Sequence, residues 1–122
     1  MTDELKKTIE NHKKMWTYIK EQEEVCGYAP NLNNRYGLKS NYIYISNIKD
    51  EPYNNCFLCE YAKNMSERFG SSGNMCDYCP CLWGSETETS AFYCEYYKEG
   101  CVIWSHSPAV DIINLPIKSE LL

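Results

Sequence analysis

The chain has 122 residues, enough for one domain with a core of its own. Hydrophobic residues make up 43%, but many are Tyr and Cys, and a mean hydropathy of -0.56 points to a thin aliphatic interior. The net charge is -5, and residues 51–101 carry most of it, with three basic against eight acidic side chains; few cations there can neutralise phosphates, which disfavours that half as a nucleic-acid surface.

The first seven residues, Met1-Thr2-Asp3-Glu4-Leu5-Lys6-Lys7, hold no apolar run and no cleavage signal, so no secretory leader is expected. No stretch approaches the length of a membrane span. Residues 3 to about 25 read as a helix. Leu5, Ile9, Trp16 and Ile19 recur on one face, His12 falls on the same stripe, and Val25 or Cys26 would extend it. Thr2 suits the cap, Asp3 and Glu4 suit the positive end of the dipole, and Gly27 suits the stop. Met15, Trp16, Tyr18 and Ile19 together exceed what a narrow stripe needs, so part of this surplus is available for a partner.

Residues 31–34 (Asn-Leu-Asn-Asn) and Asp50-Glu51-Pro52 read as turns. Between them, residues 41–46 alternate Tyr with Ile, the pattern of a short strand. Its expected partner is Cys101-Val102-Ile103-Trp104, giving a small two- or three-stranded element. Phe57, Tyr61, Met65 and Phe69 then sit four apart, with Leu58 and Ala62 beside them, and predict a helix that stops near Gly70-Ser71-Ser72-Gly73. Residues 85–90 form a polar, acidic loop. Ser90 can cap a further helix through Phe92, Tyr93, Tyr96 and Tyr97, ending at Gly100. A last helical turn starts at Ser107-Pro108, runs through Val110, Ile112 and Ile113, and must end before Pro116. The expected fold is thus a single α+β domain over residues 1–122. It is mainly helical, with three or four helices and a short β element.

Eight cysteines carry the strongest chemical signal. Cys56-Phe57-Leu58-Cys59 and Cys76-Asp77-Tyr78-Cys79 are two Cys-x-x-Cys turns separated by sixteen residues, the spacing of a four-cysteine structural zinc site. Each turn aims two thiolates at one point, and two turns complete the tetrahedron that zinc accepts. In a reducing compartment paired cysteines read as metal ligands ahead of disulfides or a redox dithiol. Cys56, Cys59, Cys76 and Cys79 are therefore the expected ligands of one Zn2+. A closed four-thiolate site has no open position for water or substrate, so its role would be structural. Cys26, Cys81, Cys94 and Cys101 follow no standard spacing. They are buried thiols, a second metal site, or, for Cys81 and Cys94, substitutes for a ligand of the first. His106 could complete a Cys3His site, whereas His12 reads as a packed or half-exposed helix residue. No carboxylate pair, phosphate-binding glycine loop or Cys-His signature marks a catalytic centre, so no enzyme activity and no catalytic residue are expected.

Eleven Tyr, three Trp and three Phe either fill a core poor in aliphatics or form an interface. Stacking on single-stranded bases would need basic neighbours, and Lys98 is the only one near Tyr93, Tyr96 and Tyr97. Lys6, Lys7, Lys13, Lys14 and Lys20 of the first helix alone support nucleic-acid binding.

The segments Cys56-Phe57-Leu58-Cys59-Glu60-Tyr61-Ala62 and Cys76-Asp77-Tyr78-Cys79-Pro80, with Trp83 following, resemble small zinc-knuckle proteins encoded by bacteriophages. The resemblance covers residues 56–83, and Trp16 matches the Trp-bearing N-terminal helix of such proteins. The cysteines at 26, 81, 94 and 101 lie outside that pattern. The resemblance implies a phage origin, a bound zinc and residence in the cytoplasm of a bacterial host. Small acidic phage proteins often bind a host protein, including CRISPR and other defence effectors, and an interaction protein of that kind is the expected function. The alternatives are a nucleic-acid-binding knuckle protein and a redox or metal-dependent enzyme using the extra cysteines.

Overall fold

A computed structural model describes residues 1–49, 51–52, 56–70, 78–81 and 107–122. The expected helix from Ser90, the acidic loop 85–90, and Cys76, Trp83, Cys94, Cys101 and His106 lie outside these residues, as does the strand expected at 101–104.

Helix α1 (Asp3–Cys26) begins where Thr2 accepts the N–H of Leu5 at 3.1 Å and ends where Gly27 takes a left-handed φ of 68°. Leu5, Ile9, His12, Met15, Trp16 and Ile19 are buried along it, spaced to fall on one helical face. The apolar surplus of the sequence is thereby largely used, because α1 meets three other helices at once. The stripe stops short of the expected end: Val25 is 82% exposed and Cys26 is exposed too. Glu10–Lys14 at 2.7 Å and Lys20–Glu24 at 2.8 Å lie on its outer face, where solvent screens them and they contribute little.

Helix α2 (Leu32–Ile45) replaces the expected strand. Asn31 lies in the turn-like run and caps the helix, accepting the N–H of Asn34 at 2.8 Å. The Tyr-Ile alternation at 41–46 has period two, but burial follows a helical period: Arg35, Leu38, Lys39 and Ile43 face inward and Tyr42 is half-buried. Two of those inward positions are cations, and that conceals the stripe from any apolar count. Among the described residues there is no strand. The one β feature is an isolated antiparallel bridge between Cys81 and Ile117, so the expected β element is corrected to helix.

Helix α3 (Phe57–Phe69) ends at Gly70, again left-handed at φ 62°. Leu58, Cys59, Tyr61 and Ala62 form its buried face. Helix α4 (Ala109–Ile113) buries Ala109 and Ile112, and a 3-10 turn follows at Ser119–Leu121. Pro108 stands just before α4 rather than inside its first turn. Helices α2, α3 and α4 all pack on α1 and touch one another little among the described residues. The core is accordingly a sleeve around α1, with Trp16, Leu5, Met15 and Ile19 at its centre. No helix among the described residues is long and apolar enough to cross a membrane.

Candidate metal centre

The local fold of the first cysteine turn follows from helix-end physics. The first N–H groups of a helix lack intrahelical acceptors. Cys56 occupies the cap position of α3, and its Sγ accepts the N–H of Cys59 at 3.4 Å. A thiolate there would gain from that donor and from the positive helix end. Cys59 sits one turn inside and points to the same buried side.

The second turn is described from Tyr78 onward. Its backbone is fixed by the C-terminal segment: the N–H of Lys118 donates to the Pro80 carbonyl at 2.8 Å, and Cys81 bridges to Ile117. The result brings Cys56, Cys59, Cys79 and Cys81 into one core cluster, each 2% exposed, beside Leu58, Ala62 and Ile112. Three expected ligands, Cys56, Cys59 and Cys79, thus belong to one buried neighbourhood. The fourth, Cys76, lies outside the described residues. None of the five described cysteines is part of a disulfide. Among the described residues no three His, Cys, Asp or Glu side chains are grouped closely enough to hold an ion.

A structural zinc requires sulfur ligands with backbone N–H groups directed at them, and the Cys59 N–H aimed at Cys56 Sγ is one such contact. Bound there, the ion would tie the start of α3 to the 78–81 turn. Cys81, one of the two cysteines expected as possible substitutes in this site, is the fourth buried thiol. Burial pushes its thiol up to about 12, the nearby Cys56 adds to that, and Lys118 and Lys13 oppose it. Cys26 stands apart, exposed at the end of α1.

Beside the cysteine turns lies a cavity of about 500 Å3, lined by Tyr61, Met65, Phe69, Tyr78, Cys79 and Leu121 among others. The Phe69 and Tyr78 rings stack there with centroids 6.3 Å apart. Arg68 and Glu4 close one rim through a 3.2 Å ion pair.

Two buried polar groups escaped the sequence reading. Arg35 is fully buried against Glu23 and the Trp16 ring, and Lys39 is fully buried one turn later. The spacing Arg35-Leu38-Lys39-Tyr42-Ile43 carried that signal, but only for a reader willing to place cations inward. His12 is buried, the first of the two placements expected for it. It meets the Ile112 carbonyl through Nε2 at 2.9 Å, while Nδ1 is buried with no hydrogen-bond partner among the described residues.

No protein-family model, no curated protein and no solved structure gives a significant match to this chain.

Proposed function

We propose that the chain is a non-catalytic, zinc-stapled interaction protein of bacteriophage origin that binds and inhibits a protein of its bacterial host, in the class of defence nucleases and CRISPR effectors. One observation carries the structural role assigned to the metal: Cys56, Cys59 and Cys79 are each 2% exposed inside the main core. An ion held by these residues is shut off from substrate and serves the fold. The phage origin and the class of partner rest on the likeness of residues 56–83 to phage zinc knuckles.

The interaction role draws support from the surface. Tyr44 at 84%, Ile45 at 59% and Phe69 at 69% exposure are large apolar side chains that the core does not use. The acidic balance of residues 51–101 suits a partner with a basic channel. The nucleic-acid reading draws less support. Lys14 and Lys20 are engaged by Glu10 and Glu24, and Glu21 shares the α1 groove with Lys13 and Lys14. A continuous basic stripe is therefore missing from this described face.

The test has two arms. Metal analysis of the protein purified under reducing conditions should give one zinc per chain. Co-expression with a DNA-cleaving defence nuclease should suppress cleavage, and a Tyr44→Ser, Ile45→Ser double variant should lose the effect while keeping its zinc. Unimpaired cleavage with every nuclease class tried, or a salt-sensitive shift of DNA or RNA, would reject the inhibitor reading.

A further inference from the structure

We propose that the C-terminal segment around residues 112–118 is a strap that gates access to the buried thiols of Cys79 and Cys81. The segment is anchored at two points. At one, His12 on α1 meets the Ile112 carbonyl at 2.9 Å. At the other, the Lys118 N–H donates to Pro80 at 2.8 Å, and Ile117 pairs with Cys81. Between the anchors, Ile113, Leu115 and Ile117 are half-buried against the core cluster that contains both thiols.

Among the described residues, two elements that border the thiols differ in how firmly they are built. On one side α3 supplies thirteen residues of continuous helix, packed on α1. On the other the strap holds one isolated bridge and is flanked by a five-residue helix that it overlaps at Ile112 and Ile113 and by a short 3-10 turn. A helix that short has little stability of its own. Local opening draws on the elements with fewest cooperative bonds, so the strap opens before α3 does. Lys118 and Leu121 also line the 500 Å3 cavity that reaches Cys79. A small reagent or a chelator arriving by that cavity meets the strap beside the thiol.

The backbone offers a clean way to loosen one anchor. Lys118 has φ -56°, a value proline adopts without strain. Lys118→Pro deletes the donating N–H and keeps the local conformation. Lys118→Ala removes the same side chain, and with it the charge near Cys81, but leaves the N–H in place. The difference between the two variants isolates the backbone hydrogen bond.

The experiment follows labelling of the reduced protein, with its metal content left as purified, by an aromatic disulfide reagent, with each cysteine assigned by peptide mass. Lys118→Pro should label Cys79 and Cys81 about fivefold faster than Lys118→Ala, the factor one backbone hydrogen bond supplies, with Cys56 and Cys59 little changed. Equal rates in the two variants, or equal acceleration of all four cysteines, would overturn the strap. A measurement on the unaltered protein guards against a poorly folded variant. Hydrogen exchange at the Lys118 amide and labelling of Cys79 should report the same opening equilibrium; an amide that exchanges from a far more populated open state than the thiol does would also overturn it. A second readout, release of zinc to a chelator, rests on the metal reading above and should accelerate in the same order. If labelling behaves as expected and no zinc is bound, the metal reading fails and the strap stands.

Discussion

Arg35 and Glu23 join α2 to α1 through a two-pronged ion pair, Nε to Oε2 at 3.0 Å and Nη2 to Oε1 at 3.2 Å. Their side chains are 0% and 10% exposed, and the guanidinium lies 5.2 Å from the centroid of the Trp16 ring. Removing one partner strands a buried charge, which costs far more than the pair itself contributes. Glu23→Ala should therefore lower the unfolding free energy by about 3 kcal/mol, read by urea denaturation. Arg35→Lys should also destabilise, because an ammonium cannot fork or stack in the same way. A double variant with Met at 35 and Leu at 23 should recover most of the loss; if it is as unstable as Glu23→Ala, the charge-stranding account fails.

His12 makes the fold acid-sensitive. Burial lowers its pKa from an ordinary 6.5 to about 4; its bond to the Ile112 carbonyl pulls the other way, and Lys39 and Lys13 deepen the depression. The unfolded chain thus binds the proton more readily. The neutral ring's contribution is complete above pH 6.5, shrinks as pH falls, and is gone below about 4. Its full size is about 3 kcal/mol. Acid also protonates thiolates and carboxylates, so the useful quantity is the difference from His12→Gln, which keeps a donor for Ile112. That difference should change with pH between 4 and 6.5 in urea titrations and be flat outside this window.

The cysteines should separate by position. If the proposed zinc is bound, Cys59→Ser should strip it, and with it a contribution that reaches on the order of 10 kcal/mol in small zinc domains. Cys26→Ser, at an exposed site outside the core cluster, should leave zinc content unchanged and stability within about 0.5 kcal/mol. Atomic absorption and thermal melts in parallel decide both. Zinc loss in Cys26→Ser would move the metal site away from the α3 turn.

Helix ends offer smaller, sharper tests. Asn31→Ala removes the acceptor for the Asn34 N–H and should cost about 1 kcal/mol. Gly27→Ala meets no steric neighbour within 4 Å but forces a Cβ into a left-handed φ of 68°, again about 1 kcal/mol. Thermal melts of the two variants and their combination should give additive losses, since the sites terminate different helices.

These caps were among the most legible features of the sequence. Thr2, Gly27 and Gly70 bound α1 and α3 as their residue types imply, because cap chemistry is local and does not depend on the rest of the fold. The short helix before Pro116 was legible for the same reason. Helix α2 was not. Tyr42 to Ile45 favour a strand intrinsically, and what overrode this was tertiary: Arg35 and Lys39 face inward, and Glu23, twelve residues upstream of Arg35, takes the guanidinium. The spacing of Cys56 and Cys59 was enough to place both thiols at the head of a helix. The sequence offered Cys81 only as one of two substitutes beside Cys94, because its position depends on a bridge to Ile117, thirty-six residues further along.

The central position of α1 has a consequence for biosynthesis. Its stripe is covered on one side by α4, and the contact of His12 with Ile112 spans 100 residues of chain. At a ribosomal pace of 5–20 residues per second, roughly 5–20 seconds of translation separate the two. Throughout that interval Trp16, Ile19 and their neighbours have at best a partial cover, and the nascent chain presents an apolar helix to chaperones or to other nascent chains. Closure of the sleeve is then set by when α4 leaves the ribosome rather than by how fast α1 forms.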